Sequence, residues 1–162
     1  MTGRSGLVVL PSDLGYTAGL LDGEGSVGLN KHKNKSLRGW NYQPCVSISN
    51  TVLSLVTWVK DITDIGSVNS KDYKKRNKRH KIPYVWQVFD MKQIMMFLTL
   101  MLPHLKIKGE RAELLIEFCG YRLIQLAGWK PLRDCRGRFI RCELAYSDRQ
   151  HEIYERLKIL NG

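Results

Sequence analysis

The chain has 162 residues, of which 43% are hydrophobic, and Lys and Arg outnumber Asp and Glu by 26 to 15. The resulting formal net charge of +11 favours a polyanionic partner. The longest apolar runs, residues 7–10 and 94–102, are too short to span a bilayer, which excludes a membrane-spanning chain. We therefore expect a soluble, intracellular protein, in the cytoplasm of a prokaryote or in an organelle.

The first predicted helix, residues 13–22, has an unusual composition. Ser12 is a suitable N-cap, and Gly23 fits the left-handed position that commonly ends a helix. Gly15, Gly19 and Gly23 recur every fourth residue and therefore share one face. Because glycine is unfavourable inside a helix, this face predicts close contact with another helix rather than packing on a core.

Two carboxylates, Asp22 and Glu24, lie at the end of this helix. The helix dipole disfavours anions there, and no basic residue follows before Lys31. A divalent cation would supply the missing positive charge, and Mg²⁺ is commonly held by one or two carboxylates with phosphate and water. For residues 22–25 alone, solvated acids at a helix–strand junction are the more common explanation.

The remaining elements follow as two hairpins and several helices. Alternating polarity predicts strands at residues 26–33 and 38–49, and again at 67–72 and 82–89. Helices are predicted from Asn50 or Thr51 to residue 64, over 91–102 after an Asp90 cap, over 109–125, and from Ser147, where Gln150 completes a capping box. This order predicts an α+β fold with an αββαββα core, a four-stranded antiparallel sheet with helices on one face, and a C-terminal helix. No internal repeat occurs, so residues 1–162 form one domain, with its core at about 12–125 and a basic loop and helix at 126–162.

Positive charge is concentrated in three runs along the chain. They comprise Lys31, Lys33, Lys35 and Arg38, then residues 71–81, and finally residues 130–141. One such run is commonly a solvated loop. Three of them in one small domain favour binding to nucleic acid.

Residues 18–25, Ala-Gly-Leu-Leu-Asp-Gly-Glu-Gly, resemble the signature of the LAGLIDADG homing endonucleases. In that family the penultimate acidic residue binds the catalytic metal, which corresponds here to Glu24, with Gly23 beside it in the metal site. Most members have Asp at this position, and Asp22 matches a residue that mainly supports the helix end. The motif occurs once, and two-metal cleavage needs carboxylates around ions only about 4 Å apart. The resemblance therefore implies a homodimer, with an interface formed by Gly15, Ala18, Gly19 and Asp22.

The resemblance also implies further active-site residues. A polar residue at the start of the second core helix corresponds to Asn50, and a lysine before a later helix corresponds to Lys108. The Lys108 ammonium would stabilise the charged phosphate or hold the attacking water. Ser54 occupies a place where a known member has arginine. An N-cap role for Asn50 and an exposed surface position for Lys108 and Ser54 are the alternatives.

The free face of the predicted sheet resembles the family's saddle over DNA, and a major groove admits β-ribbons. Expected DNA contacts on the strands are Asn30, His32, Lys33, Trp40, Tyr42, Ser70 and Gln87. Those in the basic loops are Lys35, Arg38, Tyr73, Lys75, Arg76, Lys78, Arg79, Arg136 and Arg138. A register shift of one residue exchanges the two faces, so the strand residues that point toward bases stay open.

The resemblance implies a site-specific, intron-encoded endonuclease. It would hydrolyse both strands of a long, near-palindromic DNA site by metal-activated water, without a covalent intermediate. Mg²⁺ is the expected cofactor, and Mn²⁺ is expected to substitute for it. Two alternatives are an RNA-binding maturase and a non-catalytic DNA-binding repressor.

The cysteines predict no additional metal site. Cys45, Cys119, Cys135 and Cys142 include no Cys-x-x-Cys pair, so a zinc site is not expected. We expect free thiols, although Cys135 and Cys142 flank one loop and could pair in an oxidising cell interior.

Overall fold

Helices and strands alternate in the order that the sequence predicts. The computed structural model describes residues 9–34, 39–70, 82–130, 135–136 and 144–162. The elements are α1 (Pro11–Glu24), β1 (Gly25–Asn34), β2 (Gly39–Asn50), α2 (Leu53–Thr63), β3 (Ser67–Ser70), β4 (Tyr84–Val88), α3 (Met91–Met101), a 3₁₀ turn (Leu102–His104), α4 (Gly109–Gly128) and α5 (Asp148–Leu160). The predicted α+β fold is confirmed. No helix in these ranges is both long and apolar enough to cross a membrane.

The four strands form one antiparallel sheet in the order β1-β2-β4-β3. β1 and β2 pair along their whole length, from Gly25 opposite Ile48 to Asn34 opposite Gly39. β4 pairs with β2 only along residues 46–50 of β2. In the described part of the sheet, residues 40–45 of β2 therefore have β1 on one side and no strand on the other.

Side chains alternate along the strands and give the sheet two different faces. On one face, Val27, Val46, Ile48, Trp86 and Val88 join a single hydrophobic core to which α1 to α5 all contribute buried side chains. The register places on the opposite face, here called the free face, Ser26, Gly28, Asn30, His32, Asn41, Gln43, Cys45, Ser47, Ser49, Ser67, Asn69, Val85 and Gln87. The helices thus cover one face, as predicted, and the other carries mostly polar, uncharged side chains.

Both predicted ends of α1 are wrong by two residues. The helix begins at Pro11 with Leu10 as its N-cap residue, because proline suits the first helical position and the Asp13 carboxylate accepts the Leu10 N–H at 3.1 Å. Gly23 lies inside the helix, which continues to Glu24 and ends at Gly25 with an extended φ of −89°. A Cβ on Gly25 would lie 2.5 Å from the Leu21 side chain, so this close approach requires glycine there.

The other helix starts agree with the sequence except at α2. Its N-cap residue is Val52, while Asn50 ends β2 and accepts the Val52 N–H at 2.8 Å. The predicted Asp90 cap accepts a backbone N–H at 2.9 Å, and the Ser147–Gln150 capping box is present at α5. Capping signals lie within three residues of each other, which is why sequence alone detects them.

Candidate functional site

The candidate site is centred on the Glu24 carboxylate at the end of α1. Glu24 is exposed, and its Oε2 accepts a hydrogen bond of 2.5 Å from Nδ2 of Asn50, which comes from the end of β2. Asn50 is oriented in turn by the Val52 N–H that binds its Oδ1. Glu24 and Asn50, which the resemblance assigns to one active site, are therefore neighbours. Their hydrogen bond uses only Oε2 of Glu24 and does not involve Oε1.

Asp22 fastens the end of α1 to the loop before α4. Its carboxylate accepts the backbone N–H groups of Lys106 at 2.7 Å, Ile107 at 3.2 Å and Lys108 at 2.9 Å. Burial acts to raise the pKa of Asp22, but these hydrogen bonds and the Lys108 charge outweigh it and hold the pKa below its ordinary value of 3.8. Support of the helix end, the role implied by the resemblance, fits this geometry. Contact of Asp22 with a second chain stays a prediction.

Lys108 contacts the same end of α1 with a buried side chain. Its side chain is only 7% exposed, and Nζ donates to the carbonyl oxygens of Leu21 at 2.8 Å and Asp22 at 2.5 Å. Burial lowers the pKa of Lys108, as does the nearby Arg111 charge, while Asp22 opposes the shift. This ammonium supplies the positive charge that the end of α1 lacked in the sequence. Its burial contradicts the alternative of an exposed surface lysine, whereas the contact of Lys108 with a phosphate or an attacking water stays a prediction.

The glycine face of α1 is open in the single chain. A Cβ added to Gly15, Gly19 or Gly23 would meet nothing within 4 Å. These glycines line an open groove of about 560 Å³ together with Tyr16, Leu20 and Glu24. Nothing in the described chain thus requires glycine at these positions. Ala18, by contrast, is 0% exposed within the core, so its predicted place at a dimer interface is wrong.

The exposed Glu24 carboxylate is a suitable ligand for a hard divalent cation. No group of three or more His, Cys, Asp or Glu side chains in the described ranges could hold a metal ion. One described chain thus offers an exposed carboxylate but no closed cage. Mg²⁺ uses one or two carboxylates and takes its remaining ligands from water and phosphate, which suits such an open position.

The predicted DNA contacts on the strands separate by face. Asn30, His32 and Gln87 lie on the free face, whereas Lys33, Trp40, Tyr42 and Ser70 have the opposite register. Lys33, Trp40 and Ser70 are exposed, so their contact with DNA stays a prediction. The register places further Asn, Gln and Ser side chains on the free face that were not predicted as contacts: Ser26, Asn41, Gln43, Ser47, Ser49, Ser67 and Asn69. For the four on β2, the alternation of polar residues along the strand was the available signal.

Tyr42 is a core residue and not a surface contact, so its predicted role is wrong. It is 6% exposed, and its hydroxyl bonds to Nδ1 of His151 at 2.8 Å. Its ring packs on Tyr146 and Tyr154, with centroids 4.8 and 4.7 Å apart. Tyr146 and Tyr154, which lie more than 100 residues further along the chain, thus cover Tyr42. The alternation of polar and apolar residues within β2 does not indicate such long-range packing.

The other predicted site residues are exposed or undescribed. Ser54 in the first turn of α2 and Arg136 are exposed, and their roles stay predictions. Cys119 and Cys135 carry free thiols. Outside the described residues lie Lys35, Arg38, Tyr73, Lys75, Arg76, Lys78, Arg79, Arg138 and Cys142.

The chain is similar in fold to solved structures of homing endonucleases. No protein-family model matches it, and no curated protein does. It is similar to the homing endonuclease I-CvuI in complex with DNA, at 15% identity and a TM-score of 0.57 over 93% of this chain and 96% of that one. The archaeal intron-encoded homing endonuclease I-Vdi141I, complexed with DNA, gives 16% identity and 0.56 over 93% and 97%. The LAGLIDADG homing endonuclease I-GzeII, in complex with its DNA target, gives 17% identity and 0.59 over 91% of this chain but 43% of that one.

Proposed function

We propose that this chain, which has the fold of the LAGLIDADG homing endonucleases, is a site-specific endonuclease that hydrolyses both strands of DNA as a homodimer. The observation that carries the proposal is the exposed Glu24 carboxylate, held by Asn50 beside a helix face of bare glycines. The glycine face would allow the α1 helix of a second copy to approach closely, and Glu24 lies beside this face. An active site shared by the two copies best explains this placement.

Pairing through α1 would bring two copies of Glu24 to one twofold axis. The bare glycines allow two helix backbones to approach closely, and Glu24 lies in the same groove.

In the proposed mechanism Glu24 would hold Mg²⁺, or Mn²⁺ in its place, through its carboxylate. When bound, the cation would act as a Lewis acid toward water and the scissile phosphate. Asn50 fixes the orientation of the carboxylate by donating to Oε2. Asp22 and Lys108 act as positioning residues, because their bonds hold the end of α1, and with it Glu24, against the loop at residues 106–108.

The free face is the proposed surface for the DNA major groove. Its Asn, Gln, Ser and His side chains, which are exposed or half-buried, can donate to and accept from base edges. A net charge of +11 per chain supports a polyanionic partner. Twofold symmetry of the protein would be mirrored in a long, near-palindromic site.

The experiment is cleavage of a randomised DNA library by the full chain in Mg²⁺, Mn²⁺ or EDTA, followed by sequencing of the cut ends. Glu24→Gln should bind the recovered site with unchanged affinity and lose cleavage, because the amide is a poor ligand for Mg²⁺. Glu113→Gln, the same change at an exposed position of α4, is the matched control and should cut normally. Cleavage by Glu24→Gln at the unmodified rate would overturn the proposal. Specific binding without cutting would favour the repressor, and selective binding of structured RNA would favour the maturase.

A further inference from the structure

The Tyr146 hydroxyl lies at the open edge of β2, where β4 does not reach. Tyr146 precedes α5, and its hydroxyl accepts the backbone N–H of Tyr42 at 3.1 Å. The same hydroxyl donates its proton to Oδ1 of Asn41 in a short hydrogen bond. Since Asn41 belongs to the free face, a residue of the C-terminal segment reaches around the sheet edge to a side chain on the proposed DNA surface.

The Tyr146 ring is held firmly in this position. The Arg122 guanidinium lies 4.2 Å from the ring centroid and also donates to the Leu144 carbonyl at 3.0 Å. Tyr42 meets the ring edge-on at 4.8 Å, and Phe118 stacks on it at 6.2 Å. A hydroxyl carried by a ring packed from several sides has little freedom to follow a change in its partner.

The hydrogen bonds of this hydroxyl determine which way the Asn41 amide points. A tyrosine hydroxyl has one proton, and this proton goes to Oδ1 of Asn41. A flipped amide would place its N–H groups against a hydroxyl that already accepts from Tyr42 and would leave the tyrosine proton without its acceptor. Nδ2 of Asn41 is therefore the atom presented to solvent, directly across from His32 on β1.

We infer that Tyr146 is a positioning residue that makes Asn41 a pure hydrogen-bond donor toward one base pair of the target. A donor alone suits the O6 and N7 acceptors of guanine, whereas an unrestrained asparagine offers both the donor and the acceptor that adenine requires. The inference rests on the proposed function, because it assigns a base preference to one residue of the proposed DNA surface.

The test is a binding selection from a randomised DNA library with the full chain, followed by sequencing. Tyr146→Phe removes the hydroxyl, frees Oδ1 of Asn41, and should shift one base pair of the preferred site toward adenine by about tenfold. Asn41→Asp keeps the acceptor for Tyr146 but presents an acceptor outward, and should shift the same base pair toward cytosine. Tyr121→Phe, the same chemical change on the exposed surface of α4, is the matched control and should leave every position unchanged.

Each outcome decides the inference. A change confined to one common base pair in Tyr146→Phe and Asn41→Asp supports it. If Tyr146→Phe folds, then a change with Asn41→Asp alone, no change with either variant, or a uniform loss of affinity in Tyr146→Phe would overturn it, since a merely structural tyrosine alters affinity without altering base preference. If Tyr146→Phe does not fold, the exposed Asn41 still allows the test: a shift of one base pair toward cytosine in Asn41→Asp would support the inference, and an unchanged preference would overturn it. Failure of the unmodified chain to select any DNA sequence would refute the proposed function itself, and this inference with it.

Discussion

Gly19→Ala should make the single chain more stable and the dimer weaker. Outside its own helix backbone, the new methyl group would meet no atom of the described residues within 4 Å, so it adds no steric conflict with them. Alanine is more favourable than glycine inside a helix by about 0.8–1.0 kcal/mol. For a domain of this size, a gain of about 1 kcal/mol raises Tm by roughly 2–4 °C.

The same methyl group has the opposite effect in the proposed dimer. By twofold symmetry it enters the contact between the two α1 helices twice, once from each chain. Inserting a methyl group into a closely packed contact costs about 1–3 kcal/mol, so the dimer dissociation constant should rise at least tenfold. Cleavage should fall in proportion to the dimer population.

The assay pairs sedimentation velocity over a range of concentrations with denaturation at a concentration where the chain is monomeric. Gly120→Ala is the matched control, because Gly120 lies inside α4 and its Cβ would make only an ordinary contact, 3.8 Å from Met95. That variant should gain similar stability and dimerise normally. Dimerisation and cutting by Gly19→Ala at the unmodified level would refute the shared glycine face, and destabilisation of its monomer would refute the open space around Gly19.

Three further predictions concern stability and reactivity. Asp22→Asn should lower the free energy of unfolding by about 1–3 kcal/mol at pH 7. The folded pKa of Asp22 lies below its ordinary 3.8, so the stabilisation is present above that value and is lost as pH falls through the folded pKa. Urea denaturation of both variants at several pH values measures this. A difference in unfolding free energy between the unmodified chain and Asp22→Asn that does not change with pH would contradict the prediction. Lys108→Met should also cost about 1–3 kcal/mol, since it removes the buried ammonium that donates to the Leu21 and Asp22 carbonyls. Lost cleavage with unchanged stability would instead favour a direct role of Lys108 at the phosphate. Burial raises the pKa of Cys119 to about 12, so its thiol should not react with iodoacetamide at pH 8 in the native chain. Mass spectrometry should find Cys119 unmodified and the exposed Cys135 alkylated. Rapid labelling of Cys119 would contradict its burial.

The sequence predicts this fold well because most of its signals are local. The alternation in β1, β2 and β4 gives the two hairpins, and the Asp90 and Ser147 caps are recognised within three residues. The start of α1 is missed because Pro11 and Asp13 compete with Ser12 for the same turn. In this turn the proline position is stronger than the serine cap.

The parts of the site that the sequence misses are long-range. Lys108 meets the end of α1 from 86 residues further along the chain, and Tyr146 meets Asn41 across 105 residues. The assignment of Tyr42 fails for the same reason, since the residues that bury it come from α4, α5 and the segment between them. Strand periodicity separates two faces but does not say which face the helices cover.

If the free face binds DNA as proposed, its residues should determine which sequence is chosen, and basic residues elsewhere should determine how tightly DNA is bound. The described side chains on this face include no Lys, Arg, Asp or Glu, whereas the chain as a whole carries +11. Counterion release depends on how many phosphates Lys and Arg neutralise, so substitutions on the free face should leave the slope of log K against log salt unchanged while altering which sites are accepted. An engineer could therefore retarget such a protein from its strands and adjust its tolerance of ionic strength elsewhere in the chain.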